Sequence, residues 1–184
     1  AKLQVYFIDN EDYFKRKTVF NNKAGKFHKD NDERCLFFCK GVLETVIKLG
    51  WSPDIIHCND WMSSLIPLLI KTSYSDRHIF ENTKCIFSIY ENSFKEKLDK
   101  KMIDKIVDED IDKDMLSSLK SNDYSGLIKI ASEYSDVIIR PDKDLNKSIE
   151  ESISSISPKN KVHKIPENEK SVESHYKLYN EILN

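Results

Sequence analysis

His57, Asn59 and Asp60 lie together in the stretch Pro53-Asp54-Ile55-Ile56-His57-Cys58-Asn59-Asp60-Trp61-Met62, and their types could do chemistry. An imidazole carries a proton near neutral pH, an amide donates and accepts hydrogen bonds, and a carboxylate accepts them. Ile55 and Ile56, between the breaker Pro53 and polar His57, read as a short buried strand. Asn59 and Asp60 suit the N-cap of a following helix. In an open α/β sheet such a strand-to-helix turn lies at the carboxyl ends of the strands, where ligands bind. A plainer reading fits the same residues, with Asp60 as a cap and His57 as a satisfied polar side chain.

A second strand end points to the same edge. Lys84–Tyr90 is apolar and gives way to Glu91 and Asn92, which brings Tyr90 and Glu91 towards the crevice. Two more strands are expected: Lys2–Asp9, rich in β-branched and aromatic residues, and Asp136–Arg140, stopped by Pro141. The first begins almost at the first residue with no element before it, as in a piece of a longer protein. Between them the polar residues 10–30, with Tyr13, Phe14, Phe20 and Phe27 interleaved, read as a long ordered loop. Apolar residues at Leu36, Cys39, Leu43 and Ile47 predict a helix over 31–49, ended by Gly50 with Trp51 folding back on it. Residues 61–72 read as a helix buried on most sides and distorted at Pro67. The charge-dense residues 93–122 read as an insertion of short surface helices. A helix over 125–135 and amphipathic helices over 144–153 and 167–183, around a short run at 162–165, complete the chain. Strands alternating with helices argue an α/β fold, a Rossmann-like parallel sheet with helices on both faces, in one domain over 1–184.

Composition excludes several partners. A net charge of -2 with no basic block leaves nucleic acid without an electrostatic footprint. No apolar run approaches the roughly 20 residues that span a bilayer, and no signal pattern opens the chain, so a cytoplasmic location is expected and no membrane partner. Cys35, Cys39, Cys58 and Cys85 lack paired metal-ligand spacing and read as buried reduced thiols. The 4 glycines are too far apart to build a phosphate-cradling loop.

Val5-Tyr6-Phe7-Ile8-Asp9, Asp30-Asn31 with Arg34, Gly50-Trp51-Ser52-Pro53-Asp54 and His57-Cys58-Asn59-Asp60-Trp61 follow one another as in the bacterial glycogen and plant starch synthases. With Phe87-Ser88-Ile89-Tyr90 and, weakly, residues 130–138, the chain resembles that family over about its first three quarters, and is most similar to short glycogen/starch synthase-like members. The resemblance implies part of the N-terminal lobe of a two-lobed (GT-B type) glycosyltransferase. That enzyme moves glucose from ADP-glucose to an α-1,4-glucan with retention, without a metal or other cofactor. It implies cleft positions at His57, Asn59, Asp60 and Tyr90, and a substrate-binding surface drawn from Asp9, Tyr13, Asp30, Asn31, Trp61 and Glu91. Trp61 and Trp51 equally suit buried aromatic packing.

The chain departs from the family where charge would be handled. The family's His-x-His-Asp-Trp motif has Asn59 at its second histidine, and its third strand ends in a histidine where Tyr90 stands, followed by Glu91 in place of an amide. An amide cannot carry a proton, and a carboxylate repels a leaving diphosphate. The family's Lys-x-Gly-Gly-Leu element and second lobe are not in this sequence. The expectation is a chain that does not transfer glucose alone. It needs a second lobe or partner chain for the reaction, or else serves as a catalytically silent glucan-binding or scaffolding domain.

Overall fold

A computed structural model of the chain describes residues 3–90, 94–156, 161–166, 168 and 171–184. Four parallel strands, β1 (Ile55–Asn59), β2 (Lys84–Ser88), β3 (Val137–Pro141) and β4 (Val162–Ile165), form a sheet in the order β1-β2-β3-β4. Parallel neighbours need crossovers, and helices supply them. The short α1 (Glu11–Phe14) and long α2 (Asn31–Leu49) precede the sheet. Then α3 (Ile66–Lys71) joins β1 to β2, α4 (Met102–Ile106) and α5 (Tyr124–Tyr134) lie between β2 and β3, α6 (Lys147–Ile156) joins β3 to β4, and α7 (Ser171–Leu183) follows β4.

The period of two along each strand sorts side chains between two unequal faces. Cys58, Cys85, Phe87 and Ile138 face the main core, with Cys35, Cys39 and Leu43 of α2, Leu68 and Leu69 of α3, and Leu127, Ile128 and Ala131 of α5. Ile86, Ile139 and Ile165 face the other way and meet Leu178 of α7 in a small separate cluster, with half-buried Ile55, Val137, Tyr179 and Ile182. The alternation therefore turns His57, like Ile55, towards α7.

The helix expected over 31–49 forms as α2, and Gly50 ends it at φ 67, the left-handed conformation that glycine adopts without a Cβ clash. Trp51 remains 47 % exposed. Several expectations are corrected. Residues 3–9 are not a strand: Leu3 is 91 % and Phe7 90 % exposed, because β propensity makes a strand only where a sheet edge takes its backbone groups, and no described strand does. Residues 61–72 do not form one helix. Trp61–Ser63 makes a 3-10 turn, and α3 starts at Ile66 with Pro67 in its first turn, where a missing N–H does no harm. Pro141 ends β3 from within it, and residues 162–165 are a fourth parallel strand. Residues 94–122 are not merely superficial: Met102, Ile106, Ile111, Leu116 and Leu119 are at most 1 % exposed and belong to the main core. No described helix is long and apolar enough to cross a membrane.

Candidate crevice at the carboxyl ends of the strands

Asp60 holds the turn after β1 in an unusual shape. Its φ of 60 and ψ of 179 fall in a region that is essentially glycine's, and the surroundings keep it there. Its N–H donates to the Ser88 carbonyl (3.0 Å), which stitches the turn to the end of β2, and its carboxylate accepts from Trp61 N–H (2.8 Å). The same carboxylate oxygen lies 2.9 Å from the Tyr124 hydroxyl at the start of α5, which also reaches the Tyr90 carbonyl at 2.6 Å. Burial and the Asp60 charge hold the Tyr124 phenol well above its ordinary range, so it stays protonated and donates. Tyr124 thereby ties the end of β1 to the segment after β2. Behind it, the rings of Phe20, Trp61, Phe94 and Tyr124 follow one another at 5.2–5.5 Å.

In front of this frame the Tyr90 hydroxyl donates to the Asn59 side-chain carbonyl at 2.9 Å, and Asn59 is exposed. His57 lies one residue pair back along the sheet. Its Nε2 is 2.7 Å from the Ser88 hydroxyl and its Nδ1 is 2.5 Å from the Tyr179 hydroxyl of α7. A neutral imidazole has one donor and one acceptor nitrogen, and the two hydroxyls satisfy either tautomer. Burial, with His175 of α7 nearby, lowers the His57 pKa to about 4, so the ring is neutral at physiological pH. A small crevice of about 50 Å³ continues along the carboxyl ends of β2, β3 and β4, lined by Ser88, Tyr90, Arg140, Ser171 and His175 among others. Arg140 is 8 % exposed and makes a two-pronged pair with Glu150 of α6 (2.7 and 2.5 Å), which holds the Glu150 carboxyl below its usual range.

The remaining sequence candidates lie elsewhere. Asp9 is exposed on the segment before α1. Tyr13 donates to Glu33 (3.1 Å) and packs on Phe37 of α2. Asp30 is paired with Arg16, and buried Asn31 bridges Arg34 (2.6 Å) and the Phe20 carbonyl (3.1 Å). Tyr13 thus fastens α1 to α2, and Asp30 and Asn31 hold the loop between them. Trp61 is 1 % exposed between Phe20 and Phe94, so its ring is a packing group. Glu91 lies outside the described residues. Among the described residues, no group of three or more His, Cys, Asp or Glu is placed to hold a metal ion. Sequence reasoning missed Ser88, Tyr124, His175 and Tyr179. Only the last two left a signal, their spacing with Leu178 and Ile182 along one helical face.

A family model described as the starch synthase catalytic domain matches residues 1–153. The chain belongs to the starch synthase catalytic domain family. A glycogen synthase of Chlorobium luteolum is 48% identical over 97 residues, covering 52% of this chain and 20% of that protein. One of Chlorobaculum parvum is 42% identical over 106 residues, covering 55% of this chain and 22% of that protein. The chain spans about a fifth of the length of these relatives. The family match stops before β4 and α7, so the helix that supplies Tyr179 and His175 lies outside it.

Proposed function

We propose that this chain forms the glucan-side surface of an ADP-glucose-dependent glucosyltransferase lobe, located in the cytoplasm, and that by itself it holds an α-1,4-glucan without transferring glucose. The observation that carries this reading is the Asn59–Tyr90 pair, 2.9 Å apart at the carboxyl ends of adjacent strands in a starch synthase family domain. An amide and a phenol at such an edge offer donors and acceptors to sugar hydroxyls, with an aromatic face beside them. Turnover asks for more. The leaving diphosphate of a sugar nucleotide develops charge, and one preorganised donor is worth roughly 3 kcal/mol of transition-state stabilisation. By the resemblance, Asn59 and Tyr90 take the places of two family histidines, and an amide and a phenol carry no positive charge. The nucleotide would be bound mainly by a second lobe, in the same protein or a partner chain, with no metal in the reaction.

A silent scaffolding role is the second reading, and one observation favours it: both ring nitrogens of His57 are already engaged within the chain. The purified chain should give heat on titration with a malto-oligosaccharide at millimolar concentration, and no oligosaccharide extension with ADP-glucose. Extension above an H57A/N59A control would overturn the inactivity. Absence of heat would leave the scaffold.

A further inference from the structure

Among the described residues, the sheet face that carries His57 has the single helix α7 packed on it. Helix α7 meets that face through Leu178, 4 % exposed, with Tyr179 and Ile182 half-buried beside it. Its other flank is open: Val172 is 79 % and Tyr176 68 % exposed. The cluster it joins holds four buried residues and is separate from the main core that α2, α3 and α5 build with the opposite face. An element attached through so few buried contacts opens at lower free energy than the core beneath it.

Beside these apolar contacts, the polar and ring contacts of Tyr179 and His175 converge on one side chain of the sheet, His57. Tyr179 meets His57 Nδ1 at 2.5 Å and edge-on at 5.8 Å between ring centroids, and the His175 ring lies 5.7 Å from the His57 ring. Ser88 holds the remaining nitrogen. His175 and Ser171, one turn apart at the start of α7, also line the crevice running from Tyr90 to Arg140.

We propose that α7 is an intramolecular cover for the crevice. Docked, it satisfies His57 with Tyr179 and closes the crevice with His175 and Ser171. Lifted, it leaves the imidazole and the face of β1 and β2 open to a polyhydroxyl ligand. The consequence for glucan rests on the function proposed above; the docking of α7 on His57 does not. Ionisable side chains facing the imidazole are His175 and Tyr179 from α7, with Tyr90 acting on Tyr179 from beyond β2, and the described hydrogen bonds place no carboxylate on it.

The test compares the full chain with L178D, which removes the anchor, and Y179F, which removes the hydroxyl that ties the helix to His57. The His57 ring resonances, assigned against H57Q, are followed by NMR from pH 3.5 to 8, alongside ring acylation by diethyl pyrocarbonate. In a folded L178D chain His57 should titrate near the ordinary 6.5 rather than about 4, and acylate at least tenfold faster. Should L178D fail to fold, Y179F takes its place: faster acylation of His57 supports the cover, and an unchanged rate overturns it. An unchanged titration in folded L178D also overturns it. If the cover lifts and malto-oligosaccharide affinity rises with it, both proposals stand. If His57 is freed and neither chain binds the oligosaccharide, the cover stands and the glucan reading falls.

Discussion

Asp60 concentrates the strain of the crevice in one residue. Backbone in its conformation costs of order 1–3 kcal/mol for a side-chain-bearing residue, and here the cap bond to Trp61, the Tyr124 hydroxyl and the Ser88 carbonyl offset it. Alanine keeps the strain and discards the acceptor, so D60A should lose about 2–3 kcal/mol, more than the roughly 1 kcal/mol of an ordinary cap. D60G should lose about 1 kcal/mol less than D60A, because glycine adopts that φ freely. Urea unfolding of both variants checks the order, and equal losses would mean that Asp60 acts only as a cap. Tyr124 gives the complementary case. Y124F should destabilise by about 1 kcal/mol, because the half-buried Tyr90 carbonyl loses its donor. The sequence displayed Asp60 as a cap from its place after a short apolar run. It could not display Tyr124, because a phenol 64 residues away announces no partner until the sheet closes.

Strands and helices were legible wherever period and punctuation agreed. Gly50 after the apolar stripe of α2, and apolar runs at 55–56, 84–89 and 137–140 bounded by polar residues, placed most of the sheet and its longest helix. Residues 3–9 misled because pattern reports what a segment could bury, and only a neighbouring strand decides whether it does. The insertion misled in the opposite sense. Its apolar residues Met102, Ile106, Ile111 and Leu119 were visible, but the charge density around them read as a surface, and Leu116 was passed over. Two glycines separate these element-level effects. A Cβ on Gly126 of α5 would sit 2.7 Å from the Ser118 carbonyl, so G126A should push the insertion off its helix and destabilise by about 1–2 kcal/mol, despite alanine's better helix propensity. A Cβ on Gly41 of α2 meets only the Ile8 side chain at 3.3 Å, which can move aside. G41A should therefore be neutral or stabilise by up to about 1 kcal/mol. Thermal melts of the two variants check the contrast, and a stabilising G126A would mean that the insertion packs loosely.

At the scale of the molecule, the docking of α7 links stability to pH through His57. Its folded pKa of about 4 lies below the ordinary 6.5, so between those values the unfolded chain binds more protons than the folded one. Stability from this residue is complete above pH 6.5, falls as pH drops towards 4, and changes no further below that. One unit corresponds to about 1.4 kcal/mol, and since the ring is partly open to solvent the loss across the window should be of order 2 kcal/mol. Carboxylates act in a lower window. Asp30, held down by Arg16, and Glu150, held down by Arg140, contribute fully above the usual carboxylate range and lose that contribution as pH falls through it towards their lower folded values. The wild-type unfolding free energy should thus decline in two stages, and H57Q should remove the first stage while leaving the second. Because α7 can leave without the main core, its amides should lose hydrogen-exchange protection at pH 5 before those of α2 and α5 do. An H57Q chain with the wild-type slope between pH 6.5 and 4.5 would place the proton-sensitive group elsewhere. Equal loss of protection in α7 and α5 would show one cooperative unit, in which protonating His57 unfolds the molecule as a whole instead of lifting the helix.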